Sequence, residues 1–237
     1  MRRVRRTGAA MTNHVNLQVM GFYLDGGGIY RVTELDVFPW LIHGFGTRDT
    51  NVSAAFANLA TLKQVHSADC VAGEGRSGML GEGDALLEDT PGAVVAVKTA
   101  DCIPILLIDE EKRAVAAVHA GWRGTVAEIA ERAVEAMRRR FGSHAENLHA
   151  AIGPGIGNCC FEVGPEVSEQ FGHSGRAHID LAAENQRQLI ETGVTEKRIY
   201  ASNLCTKCRA GEFHSFRRDR EQAGRMYSFA GVVRAVQ

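Results

Sequence analysis

Apolar and polar residues alternate with a period of two in several short runs and follow a helical period in two longer ones. VNLQVMGFYL, then DGGG, then IYRVTEL reads as an N-terminal hairpin: two strand-like runs joined by a glycine-rich turn. GAVVAVKTA (92–100) and IPILLID (103–109) are strand-like and meet at Asp101-Cys102. The polar turn EEKR leads into a further strand, AVAAVHA (114–120). Val126, Ile129, Ala130, Ala133, Val134, Met137 and Phe141 then recur at helical spacing. Thr125 and Glu128 form a capping-box pattern before that helix, Gly142 closes it, and Glu128–Arg132 and Glu135–Arg139 are supportive pairs along it. NLHAAIG (147–153) predicts a strand, Asp180 caps a helix over 181–192 ended by Gly193, and RIYAS (198–202) is a late strand.

Strands outnumber helices and several adjoin through short turns. The pattern therefore predicts an α/β (α+β) fold, with mixed sheets and helices packed outside, rather than a strict βαβ series. No linker or repeat divides the chain. Residues 11–237 are expected to form a single catalytic domain, preceded by a disordered basic arm, MRRVRRTGAA, over 1–10. The 237 residues suffice for a substantial core. A net charge of −1, with 23% charged residues, gives no reason to expect a nucleic-acid partner, and no apolar run is long enough to span a membrane. The first residues lack the apolar segment of a secretory signal, so a cytoplasmic protein is expected, with its six cysteines as thiols rather than disulfides.

Three segments carry a metal-competent side chain in an apolar or glycine-rich setting: LKQVHSADC with His66, KTADCIPILL with Cys102, and AAVHAGWRG with His119. Two imidazoles and a thiolate leave one tetrahedral position of zinc open, as catalytic zinc sites do, and the same donors suit copper. Their separation in sequence leaves the alternative open that each is a packed core residue. Cys205 and Cys208 form one C-x-x-C pair, and Cys159-Cys160 lack an evident second pair, so these four are read as packing thiols. Arg48 and Arg123 sit in glycine-rich loops suited to an anion, with Lys63 a third cation.

Taken in order, KQVHSADC, TADCIPILL, AVHAGWRGT, AIGPGIGNCCFEVGPEV and NLCTKC…FHSFRRD resemble the YfiH/YlmD-type laccase-domain family from about residue 15 onward. Its members are described as purine nucleoside phosphorylases, polyphenol oxidases and peptidoglycan editing factors. The resemblance places the metal trio on His66, Cys102 and His119. It implies a zinc enzyme (copper under the laccase reading) acting on a purine nucleoside and phosphate: phosphorolysis of adenosine, inosine or methylthioadenosine, and adenosine deamination. The chain departs from the family pattern at Gly155, where a cysteine is usual, and in the loop TRDTNVS, which is poorer in glycine.

Within that reading His66, Cys102 and His119 are catalytic as well as metal-binding. Asp101 handles a proton or orients a ligand histidine, and Arg48, Lys63 and Arg123 clamp phosphate. Three rivals stand beside it: a peptidoglycan-editing amide hydrolase, a metal-free cysteine hydrolase built on Cys102 and His119, and a binding module braced by zinc. The polyphenol oxidase reading ranks below these, because one three-ligand site does not supply the several coppers that four-electron oxygen reduction requires.

Overall fold

A computed structural model describes residues 21–234. The expected basic arm over 1–10 and residues 15–20 of the N-terminal hairpin's leading run lie outside the described residues. The strands, in chain order, are β1 (Phe22–Leu24), β2 (Ile29–Val32), β3 (Leu41–Gly46), β4 (Leu59–Lys63), β5 (Cys70–Ala72), β6 (Gly78–Glu82), β7 (Ala85–Glu88) and β8 (Val94–Thr99). They continue with β9 (Ile103–Asp109), β10 (Ala114–Ala120), β11 (Leu148–Ile152), β12 (Glu162–Val163), β13 (Ala177–His178), β14 (Ile199–Ala201) and β15 (Met226–Val232). The helices are α1 (Val52–Ala55), α2 (Trp122–Val126), α3 (Ile129–Phe141), α4 (Pro165–Ser168), α5 (Leu181–Glu191) and α6 (Phe216–Asp219).

Two mixed sheets stack face to face. One runs β1-β2-β3-β15-β8-β4-β6, and the other β14-β11-β9-β10-β7-β5. β9 shows why the second sheet is central. All seven of its residues are buried, and successive side chains point to opposite faces. Leu106 and Ile108 join Phe45, Val95 and Val97 of the first sheet in the core between the sheets. Ile103, Ile105 and Leu107 join Ile129, Ala133 and Met137 of α3 and Leu181 and Leu189 of α5 on the other face. A strand buried on both faces reads as a continuous apolar run, as IPILLID does.

The architecture is the single-domain α/β arrangement of mixed sheets with outer helices that the sequence predicts. The strand runs from 92 to 120, 147 to 153 and 198 to 202 form strands as expected. β8 and β9, though contiguous in sequence, belong to different sheets, so Asp101-Cys102 is a crossover between layers rather than a hairpin turn. β9 and β10 make the hairpin instead, with Asp109 opposite Ala114 and His119 opposite Pro104.

The expected helix from 126 to 141 is two helices. α2 begins at Trp122 with Gly121 as its N-cap, and the chain turns at Glu128, which takes a left-handed φ of 61° before α3. Thr125 therefore does not cap. It is buried, and its hydroxyl accepts from Asn185 Nδ2 of α5 at 2.9 Å. Val126, expected on the apolar face, is exposed. Gly142 does close α3 in the left-handed conformation, and Asp180 does cap α5, accepting from Ala183 N.

Candidate metal centre and its cleft

The β9–β10 register builds half of the site. His119 lies opposite Pro104 and Ala120 opposite Ile103, so Cys102 at the start of β9 comes level with Gly121 just past β10. His66 arrives from the loop after β4. The ligand-capable atoms of His66, Cys102 and His119 lie within 4.8 Å of one another. The imidazole rings meet edge-on with centroids 4.9 Å apart. Gly121 is required by this convergence, because a Cβ there would stand 2.8 Å from His66 Nδ1 and 3.0 Å from Cys102 Sγ. Gly124, one turn into α2, packs against the backbone of Ser67 in the same loop.

Asp84 organises the trio. It is fully buried just before β7, whose pairing with β10 sets it beside His119. Its carboxylate accepts from His119 Nδ1 at 2.7 Å, leaving Nε2 as the ligating nitrogen. The same carboxylate accepts from the backbone N–H groups of Val65, His66 and Ser67 and from the Ser67 hydroxyl, at 2.7–3.2 Å. His66 has a positive φ of 59°, uncommon for a residue with a Cβ, and these bonds hold it there.

The electrostatics match a thiolate beside a cationic or metal-bound imidazole. Burial works against ionisation of Cys102, but hydrogen bonds from His119 and His66 overcome it and bring the thiol down to about 6. Burial likewise opposes charge on His119, yet Asp84 and Cys102 push it up to about 9. Asp84 is held below the usual carboxylate range, burial being outweighed by His119 and Ser67.

The trio opens into a cleft of about 600 Å³. One wall is apolar, with Leu62, Phe161 and Phe216, and Lys98, Arg217 and Arg225 add positive charge. Lys63 reaches the rim but is exposed and ion-paired with Glu82 at 2.7 Å. Arg48 and Arg123, expected in an anion clamp, do not line the cleft. Arg48 sits on an exposed loop, its guanidinium donating to Ala210 O. Arg123 is exposed and stacks over its neighbour Trp122 at 4.3 Å. Arg48 lies in a loop and Arg123 in the first turn of α2, and tertiary packing aims both outward.

Asp101 borders the cleft, buried, with a strained φ of 90°. Its carboxylate is engaged by Thr206 Oγ1 at 2.7 Å and Arg217 N at 2.6 Å, and its carbonyl by Ile156 N. It ties loops together, and the histidine-orienting part expected of it belongs to Asp84. Nothing local in GEGDALL marks Asp84, because its partners arrive through strand pairing. The four cysteines read as packing thiols also need correcting. Cys159, Cys160, Cys205 and Cys208 form a second group whose sulfurs all lie within 4.8 Å of one another.

A family profile described as multi-copper polyphenol oxidoreductase laccase matches residues 47–233. A purine nucleoside phosphorylase of Deinococcus radiodurans is 40% identical over 187 residues, covering 75% of this chain and 71% of that protein. Adenosine deaminase RL5, from an unknown prokaryotic organism, is 42% identical over 165 residues, 64% of this chain and 62% of that one. Among solved structures, YlmD from Geobacillus stearothermophilus superposes with a TM-score of 0.82 at 27% identity, covering 90% of this chain and 99% of YlmD. A Bacillus licheniformis hypothetical protein YfiH gives 0.81 at 26% identity over 91% of this chain and 100% of that one.

Proposed function

The chain belongs to the multi-copper polyphenol oxidoreductase laccase family, with the YfiH and YlmD proteins, and from that premise we propose that it is a zinc-dependent purine nucleoside enzyme. Residues 11–237 would form its catalytic domain. The reactions are phosphorolysis of adenosine, inosine or methylthioadenosine, and deamination of adenosine. Relatives named purine nucleoside phosphorylase and adenosine deaminase supply the substrate class. The observation that carries the reading is the convergence of His66, Cys102 and His119 in a cleft whose lining includes four cations, Lys63, Lys98, Arg217 and Arg225.

The donor set fits zinc. The ligand atoms of two imidazoles and a thiol lie within 4.8 Å of one another, Asp84 fixes the tautomer of His119, and Gly121 leaves the space clear. Bound there, zinc would supply a Lewis acid and an activated water at the purine end of the cleft. The chain's own residues supply the rest. In phosphorolysis a phosphate oxygen bonds to C1′ as the C1′–N9 bond breaks, positive charge builds on the ribose in the transition state, and the departing purine takes up the proton that dihydrogen phosphate gives up. Lys98, Arg217 and Arg225 would hold the anionic nucleophile, with Lys63 at the rim. Phe161 and Phe216 offer apolar surface to the purine, and Arg217, stacked 5.3 Å from the Phe161 ring, stiffens that wall. Asp101 acts by position, holding the loop that carries Cys102.

Incubation of zinc-replete protein with adenosine tests this. Free adenine and ribose 1-phosphate should appear only with phosphate present, and inosine and ammonia in either case. Replacing Lys98 or Arg225 with Ala should raise KM for phosphate roughly 10- to 100-fold, the value of one charge-assisted hydrogen bond, and spare deamination. Absence of every nucleoside product would sink the reading. The ionised Cys102–His119 pair supports a second reading, a metal-free thiol nucleophile. Activity lost to a chelator and restored by zinc excludes it, and activity that survives chelation establishes it.

A further inference from the structure

We propose that Cys159, Cys160, Cys205 and Cys208 form a second metal site, a structural tetrathiolate zinc centre that pins the loop after β11 to the loop after β14. The site is separate from the nucleoside cleft, and the inference does not rest on the nucleoside reading.

The geometry is that of four ligands around one ion. Sγ of Cys160 lies 3.4 Å from that of Cys208, and Sγ of Cys159 lies 3.7 Å from those of Cys160 and Cys208. Zn–S bonds of about 2.3 Å at tetrahedral angles separate sulfurs by roughly 3.8 Å. A disulfide would bring a pair to about 2.05 Å, and none of the six cysteines is bridged. Four sulfurs leave no open position, the mark of a structural rather than a catalytic zinc. The soft, all-thiolate set suits zinc over the oxygen-seeking divalent cations. Loading replaces four S–H bonds by four Zn–S bonds and releases the protons to solvent, with no change of oxidation state.

The surroundings are shaped for such a centre. Gly157 N donates to Cys205 Sγ at 3.3 Å, a bond that steadies a thiolate. A side chain at Gly157 would enter the cradle, since a Cβ there stands 3.3 Å from Cys159 Sγ and from Cys205 Cβ. Arg217 donates to the carbonyls of Cys160 and Glu162, bringing positive charge beside a centre that would carry a net charge of −2. Cys159 and Cys208 are exposed, which gives the ion an entry path.

The centre also has something to hold. Thr206 stands between Cys205 and Cys208, donates through its hydroxyl to Asp101 and through its N–H to Gly155 O at 2.9 Å. Gly155 N donates in turn to Leu204 O, and Ile156 N to Asp101 O. Asp101 precedes Cys102. Ile156 and Phe161, on the cysteine-bearing loop, line the cleft. A zinc at the four sulfurs would therefore fix the cleft-lining loop that carries Ile156 and Phe161, and the strained Asp101 turn.

Zinc content per chain, measured on the full-length protein purified under reducing conditions, tests the assignment. We expect two zinc ions in the native protein and one in C102S. Cobalt-substituted C102S should retain the strong thiolate-to-cobalt charge-transfer absorption of a four-sulfur site. C205S/C208S should lose one zinc and melt at a lower temperature. Should that variant fail to fold, the C102S result decides by itself. One zinc in the native protein that remains in C102S supports this centre and removes the metal from the nucleoside site. A single zinc that vanishes in C102S overturns the proposal. So does iron in place of zinc, or a protein mass showing two hydrogens lost per disulfide among the four cysteines.

Discussion

Asp84 holds His119 through its ring and His66 through its backbone, so one buried carboxylate sets the position of both imidazoles. Its effect on charge is as direct. With Asp84 ionised, His119 is stabilised as a cation and Cys102 as a thiolate. In metal-free protein the rate of alkylation at Cys102 should rise through pH about 6, where the thiolate forms, and fall below it. Asp84→Asn removes the charge and keeps the shape. The alkylation midpoint should then move up toward the ordinary thiol value, and zinc affinity should fall about 10- to 100-fold, as for other partners of ligand histidines. An unchanged midpoint would mean that Asp84 serves only to pin the loop.

At the scale of elements, the break between α2 and α3 follows from what each helix must do. α2 starts at Trp122, capped by Gly121, so that the chain leaves the trio at once, and α3 must lie flat on the central sheet. The change of direction falls on Glu128, and Arg132 Nε donates to the carbonyl of Ala127 at the end of α2. Thr-x-x-Glu reads locally as a capping box, but Thr125 is buried under α5. Its hydroxyl accepts from Asn185, and its carbonyl from Gln188 Nε2 at 2.8 Å. Thr125→Val keeps the volume and removes one partner from a buried amide. It should cost about 1–3 kcal/mol, read from urea unfolding, and its failure to do so would show that the Asn185–Thr125 hydroxyl bond adds nothing to the α2–α5 contact beyond packing and the Gln188 bond.

Across the whole molecule the central sheet is the shared structure, facing the first sheet on one side and α3 and α5 on the other. Leu106 lies fully buried between the sheets. Leu106→Ala should destabilise the chain by roughly 2–5 kcal/mol through lost burial and the cavity left behind. Zinc content of the folded fraction should stay unchanged, since Leu106 pairs with Ala117 in the inter-sheet core and does not line the cleft. Unfolding followed by tryptophan fluorescence and by circular dichroism should shift together. Separated transitions would show that the two sheets are independent units.

The sequence by itself determined the strands at 92–120, 147–153 and 198–202, the helix ends at Gly142 and Asp180, and the α/β class. These depend on periodicity, caps and turns, which act over a few residues. The ordered motifs also pointed to His66, Cys102 and His119. Tertiary structure alone decided that β8 and β9 part into different sheets, that Arg48 and Arg123 face away from the cleft, and that Lys98, Arg217 and Arg225 line it. It alone decided that Asp84, not Asp101, orients His119, and that Cys159-Cys160 meet Cys205 and Cys208. Each of these depends on strand register or on loops meeting across the fold. Such contacts join residues far apart along the chain, where no local pattern of polarity records which partner each side chain will find.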